Sequence, residues 1–305
     1  MSSEDGFRSY YGKPVVKQPV WKPTVPVYFF AGGTAGAAAS LGLAARVTGN
    51  EALARTATYV DAVAITVSPA LLISDLGRPE RFLNMLRMFK VTSPMSVGTW
   101  IVTGSGLFSG LGTTLELLGR WPRAKVAAEA AAGLLGPFLS TYTAALLADT
   151  SIPIWQEARR ELPFVFAGSS AASAGGACVL LAAPENAAPA RRLAVAGAAL
   201  ELAAGAAMER RLGFLAEPYR KGVAGALSRT AKALTAAGGV TMLVAGRKRG
   251  GAAAAGGLLL AGSLCERFAV FRAGFASADD PRYTIVPQRQ RLEQRDAASQ
   301  SGGGA

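Results

Sequence analysis

The sequence predicts an all-α integral membrane protein of about eight transmembrane helices. Three observations predict it. Half of the residues are hydrophobic and only 17% are charged, where a soluble domain carries about 25% charge. The charges stand in clusters between apolar runs, and each run is close to the ~20 residues that span a bilayer as a helix. Small residues crowd the runs, which suits helices that pack in lipid by close backbone approach.

In chain order, residues 1–24 form a polar tail with Lys13, Lys17 and Lys22 and no apolar core. The first span, 25–47, reads as an uncleaved signal anchor, since no small-residue cleavage site follows a short apolar stretch. Further spans are predicted at 55–74, 95–118, 124–148, 163–183, 191–212, 226–246 and 251–271. The sixth and eighth are the least apolar, because Glu201 and Glu266 interrupt them. Gly32 and Gly36 have the small-xxx-small spacing of a helix-packing face. The domain plan is therefore a tail over 1–24, a transmembrane domain over 25–275 and a polar, partly disordered tail over 276–305.

Two loops share a pattern. Asp75 follows the second span four residues before Pro79, and Asp149 follows the fourth span four residues before Pro153. Proline is pre-set for the first turn of a helix, so a short amphipathic helix is predicted in each loop. Phe82, Leu83, Leu86 and Phe89 make one apolar stripe; Ile154, Trp155, Ala158 and Leu162 make the other. Such helices suit the interface plane. Ser93-Pro94 and Leu162-Pro163 then restart the following spans.

The net charge is +12. Lys and Arg lie in loops between spans, so the membrane, and not nucleic acid, accounts for them. With an even number of spans both termini share a side, and that side collects about twice as many Lys and Arg as the other. Positive charge stays cytoplasmic, which predicts both termini in the cytoplasm and a multi-pass protein of the cell's inner membrane.

The chain has no histidine. Bis-histidine haem lacks its axial ligands, and histidine-based metal sites are excluded. Cys178 and Cys265 are too few for a four-cysteine iron–sulfur cluster and read as small buried hydrophobes. The chain thus carries no haem and no metal of its own.

Ionisable groups inside a bilayer are costly and mark functional candidates. Asp61 in the second span, Glu129 in the fourth and Glu201 in the sixth are the candidate proton path; Glu116 and Glu266 are weaker candidates, and Glu266 pairs as readily with an arginine. Tyr142, two turns before Asp149, offers a phenol that can donate to a quinone carbonyl while its ring packs on an apolar head group. Asp75, Arg78 and Arg81 sit together in the 2–3 loop, where arginines can reach phosphates or acids on a partner surface.

The run 74–82, Ser-Asp-Leu-Gly-Arg-Pro-Glu-Arg-Phe, with 92–100, Thr-Ser-Pro-Met-Ser-Val-Gly-Thr-Trp, resembles the signature of the NrfD-like polysulfide reductase membrane subunits. Residues 26–36 resemble that family's first span. The resemblance implies eight helices in two four-helix bundles. It implies a docked ferredoxin-like iron–sulfur subunit, often with a molybdopterin catalytic subunit beyond it, and menaquinone bound in the first bundle near the docked cluster. Tyr142 then falls at the quinone pocket, Asp75, Arg78 and Arg81 at the pocket or the docking face, and Asp61 on the proton path. Relatives can use a histidine near the start of span one at the quinone; this chain has none, so the resemblance implies that Trp21, Lys22, Thr24 or Tyr28 contacts the quinone in its place.

The reading is a quinone-reactive subunit that exchanges electrons between an iron–sulfur partner and the menaquinone pool, with coupled proton uptake or release. Two alternatives stand beside it. A secondary transporter also uses buried carboxylates and broken helices. A passive anchor for a soluble enzyme needs no internal Asp61 or Glu201.

Overall fold

A computed structural model describes residues 15–75, 78, 80 and 84–302. Among these residues the fold is helical throughout, with no strand. The long helices are α1 (Thr24–Val47), α2 (Glu51–Asp75), α3 (Pro94–Leu118) and α4 (Pro122–Ala148), then a short α5 (Pro153–Glu157) continued by a 3₁₀ turn (Ala158–Arg160). After these come α6 (Leu162–Leu181), α7 (Ala188–Leu212), a 3₁₀ segment (Gly213–Tyr219), α8 (Gly222–Ala245), α9 (Arg249–Asp279) and α10 (Arg282–Gly302).

Local sequence explains the helix starts. Pro94, Pro122, Pro153 and Pro163 each stand at the first or second helical position, where the missing N–H costs nothing. Ser93 also caps α3, its hydroxyl accepting from the Ser96 amide at 3.4 Å. Asn50 does the same for α2 through Leu53, at 3.1 Å, so that helix begins before the apolar run does. α9 runs two turns past its predicted end, because nothing in Arg272–Asp279 breaks a helix until Asp280-Pro281. The polar tail is helical over Arg282–Gly302.

Among the described residues six helices, α1, α2, α3, α4, α6 and α9, are long and apolar enough to cross a membrane by length and composition. The predicted eighth span is among them despite Glu266. The predicted sixth and seventh, α7 and α8, have spanning length but are less apolar. α7 carries Glu201 near its middle and charges at both ends, and α8 holds Arg229 and Lys232 in its first half. Leu107, Leu111, Val63, Val67, Leu134 and Phe138 project outward from the spans, as lipid-facing side chains do. The chain is a multi-span membrane protein.

α1 packs against α2 and α4, and α3 against α4; α6 packs on α7 and α9, and α8 on α9; α1 and α6 join the two groups. The joints are built from small residues. At Gly36 on α1 and Gly136 on α4 an added Cβ would stand 2.4 and 2.2 Å from the other's carbonyl oxygen. Ser40 donates to the Gly133 carbonyl at 3.0 Å and Ser140 to that of Gly33 at 3.2 Å. The Gly32–Gly36 stretch thus packs helix on helix.

Two cores divide the molecule along the helix axes. One is rich in large and aromatic side chains, including Tyr28, Phe29, Tyr142, Trp155, Phe166 and Phe271. The other is mainly alanine and leucine, among them Ala38, Leu53, Ala57, Ala174 and Leu259. At the aromatic end the two terminal segments of the described chain dock: Gln18 donates to Asp279, and Arg291 pairs with Glu157.

The two loop helices differ from expectation. In the 4–5 loop α5 forms, but its stripe faces inward: Ile154, Trp155, Ala158 and Leu162 are all fully buried. It is a plug beneath α9 and not an interfacial helix, since the Trp155 indole donates to the Val270 carbonyl at 2.8 Å and its ring lies against Gly274. In the 2–3 loop Asn84 and Met85 are helical, a turn follows at Leu86 and Arg87, and Met88 and Phe89 lie outside any helix and are exposed. Phe82 and Leu83 lie outside the described residues.

Candidate functional site

At the aromatic end the first four long helices diverge around a cavity of about 100 Å³. α1 supplies Val25, Tyr28 and Phe29; α2 supplies Leu72 and Asp75; α3 supplies Met95, Gly98 and Thr99; α4 supplies Tyr142 and Leu146. Trp21 from the N-terminal tail and Met85 from the 2–3 loop close the mouth. The lining is mostly apolar with a few convergent polar groups, the composition of a small-molecule site.

Each polar member is held by its own element. The Tyr142 ring lies on the bare backbone of Gly98, where an added Cβ would come within 2.5 Å of Tyr142 Cε2. Its hydroxyl is buried and has no partner in the protein, so it is a donor waiting for an acceptor. Trp21 is stacked on Trp155, with centroids 5.5 Å apart and planes 18° from parallel. Asp75, the last residue of α2, accepts from the Lys22 amide at 3.0 Å, while Lys22 Nζ donates to the Ser74 carbonyl at 3.1 Å. That pair of bonds fastens the tail over the cavity.

Sequence reasoning placed Trp21, Tyr28, Lys22 and Tyr142 at one site. Trp21, Tyr28 and Tyr142 line the cavity; the Lys22 ammonium turns away to the end of α2. Asp75, predicted at a docking face, also lines the cavity. Arg78 is exposed and is not among the lining residues, and Arg81 lies outside the described residues. Met85, Met95 and Thr99 were not singled out; Met95 and Thr99 stand in the 92–100 run quoted above for its motif, which was the only available signal.

The candidate proton residues fall in two places. Asp61 and Glu129 line one small cavity with Thr58 and Ser109. Thr58 donates to Glu129 Oε1 at 3.2 Å, and Arg46 pairs with Glu129 Oε2 at 2.7 Å. Asp61 faces the Ser109 hydroxyl across this cavity. This cluster is at the alanine-rich end, about 21 Å from Asp75 measured along α2. Between them α3 carries three buried hydroxyls, Ser109, Ser105 and Thr99. Glu201 lies apart, accepting from Thr235 at 3.0 Å in the α6–α9 group. Glu116 is tied to Arg55 and Lys125.

The loops that join α5 to α6 and α7 to α8 are charged. Hydrogen bonds from Arg211 hold the Glu161 carboxyl below the usual carboxylate range, and Lys221 with the Tyr283 phenol does the same to Glu217. No group of three or more His, Cys, Asp or Glu able to hold a metal is present among the described residues.

A family model described as polysulphide reductase, NrfD, matches residues 14–203. That stretch holds the whole cavity lining and the Asp61–Glu129 cluster, and ends within α7. No curated protein matches the chain.

Proposed function

Since the chain belongs to the NrfD polysulphide reductase family, whose members are membrane subunits of redox complexes, we propose that it is the quinone-reactive subunit of such a complex. The observation that carries the reading is the cavity among α1–α4, apolar in its walls, with the unpartnered Tyr142 hydroxyl inside and Asp75 at its mouth. A quinone head group fits this chemistry. Its ring packs against Tyr28, Phe29 and Met95, and Tyr142 donates to one carbonyl. Menaquinone is the quinone we assign.

Reduction of a quinone to a quinol takes two electrons and two protons. The electrons come from a ferredoxin-like iron–sulfur subunit docked on the loop face, where Arg78 is exposed, with a molybdopterin catalytic subunit beyond it. Any such cofactor belongs to the partners. The protons come from the opposite end. Asp61 holds one, and the α3 hydroxyls Ser109, Ser105 and Thr99, bridged by water, lead toward the cavity. Oxidation runs the same route in reverse.

We also assign α7 and α8 as spans, giving eight helices in two groups of four with both termini in the cytoplasm. In support, the outward residues of α7 between Arg192 and Arg210 are Ala196, Ala199, Leu200, Ala203, Ala206 and Ala207. Glu201 on the same helix points inward. On α8 the exposed residues from Ala233 onward are Ala233, Ala236, Ala237, Val240, Leu243 and Val244. An exterior of this kind suits lipid.

Mild-detergent purification of the tagged chain tests the proposal. A co-purifying ferredoxin-like protein is expected, with broad visible absorption that dithionite bleaches and a menaquinol analogue changes. A colourless chain that elutes alone sinks the reading, and transport by the chain alone in liposomes would replace it.

A further inference from the structure

The α6–α9 group contains a buried charge cluster that the quinone reading does not use, and most of it lies beyond the residues matched by the family model. Glu201 on α7 and Glu266 on α9 are 4% and 7% exposed and line one small cavity with Tyr219, Glu209 and Lys232. That cavity, about 10 Å³, has room for about one water. Arg267, 1% exposed, lies within electrostatic range of both carboxylates. Its guanidinium rests 3.7 Å over the Phe166 ring and donates to the Phe166 carbonyl and the Ser170 hydroxyl, each at 3.0 Å. Glu201 faces the hydroxyls of Thr235 and Ser169, and two groups are left over: the Tyr219 hydroxyl, and Nε and Nη1 of Arg267, have no partner.

Charge balance decides what the cluster holds. Glu209 and Lys232, nearer the surface, neutralise each other as an ion pair. Of the remaining groups Arg267 is cationic, Glu201 and Glu266 are acids, and Tyr219 is neutral; α6 contributes only serines. With both acids ionised the interior would carry one uncompensated negative charge, which a low-dielectric membrane interior opposes strongly.

We propose that Glu201 and Glu266 together hold one exchangeable proton, balanced by Arg267, and that this is a second proton site separate from the quinone cavity. Tyr219 and the water-sized cavity connect it to the Glu209–Lys232 pair and so to the loop end. The site also reaches the quinone cavity through packed rings: Arg267 covers Phe166, and Phe166 lies 6.1 Å from Phe29, which lines that cavity. The proton assignment follows from charge and burial alone and does not depend on a quinone being the substrate.

Infrared difference spectroscopy tests it on the full chain in lipid nanodiscs, with glutamate isotope-labelled at the side-chain carboxyl and no quinone added. The label separates glutamate from Asp61, and Glu116 and Glu129 are ion-paired. We expect one protonated glutamate carboxyl per chain at neutral pH, lost on alkaline titration. The band should vanish in Glu201→Gln and equally in Glu266→Gln, since each leaves a single carboxylate against Arg267. A wild-type spectrum without such a band overturns the proposal, and this reading needs no variant to fold. A band that survives both substitutions overturns it too. A band that disappears when sodium replaces potassium at constant pH makes this a sodium site and overturns the proton assignment.

Discussion

Replacing Tyr142 by phenylalanine separates the role of its hydroxyl from that of its ring. In the protein alone the hydroxyl is buried without a partner, a state that costs about 1–3 kcal/mol for a polar group. Removing it breaks no protein hydrogen bond, and the ring keeps its seat on Gly98. Folding stability should therefore stay level or rise by up to about 1 kcal/mol. Quinone binding should fall, because the phenol's hydrogen bond to the carbonyl is worth about 0.5–1.5 kcal/mol net. With RT near 0.59 kcal/mol that is about a 2- to 13-fold loss of affinity. The measurement is the Kd of a short-chain menaquinone analogue, read by quenching of tryptophan fluorescence (Trp21 lines the cavity), alongside thermal unfolding of the empty protein. A Tyr142→Phe protein that is destabilised by more than about 1 kcal/mol while binding quinone as before would refute the reasoning, since the hydroxyl would then serve the fold.

Four further outcomes follow from the same geometry. Gly98→Ala places a methyl within 2.5 Å of the Tyr142 ring; the ring must move into the cavity, so quinol turnover should drop while the protein still inserts, as activity and membrane yield measured together will show. Asp61→Asn keeps the shape of a buried side chain but removes its proton; turnover should fall roughly 10²-fold with quinone affinity unchanged, whereas a passive anchor would turn over normally. Gly274→Ala drives a methyl into the Trp155 indole, about 2.0 Å from Cε2; a loss of about 1–3 kcal/mol is expected, visible as a lower Tm. On the loop face Glu161 is held below its ordinary value of 4.5 by Arg211. A depressed carboxyl adds stability that is complete above 4.5 and is lost as pH falls through its lower folded value. Arg211→Gln should flatten that acid limb of the Tm–pH curve, by a small amount because the pair is partly solvated.

The functional division of the molecule runs along two directions. Along the helix axes, bulky aromatic side chains keep the helices apart at the terminal end, where the cavity opens, and alanines bring them together at the other. Across the membrane plane, the α1–α4 group holds the cavity and Asp61, and the α6–α9 group holds Glu201, Glu266 and Arg267. α1 and α6 form the seam, where Gly33 lies against Ser170 and the Arg267 guanidinium.

Much of this was legible in the sequence. Length and hydropathy of the runs determine the helices, because in lipid a backbone must satisfy its own hydrogen bonds. Proline at the first turn sets their starts, and the 26–36 and 74–100 motifs carry the family. Missing histidine alone rules out bis-histidine haem. Tertiary structure decided what a one-dimensional pattern cannot hold. The stripe of Ile154, Trp155, Ala158 and Leu162 has the periodicity of an interfacial helix, yet a complementary hollow beside Gly274 buries it. Trp21, Tyr28, Asp75 and Tyr142 are scattered over more than a hundred residues and meet only because four helices converge. Asp61, Glu129 and Glu201 looked alike as buried acids, but packing joined the first two and set the third with Glu266 and Arg267. A sequence records how costly each buried charge is; which neighbours offset that cost depends on contacts between helices, and those exist only in the folded protein.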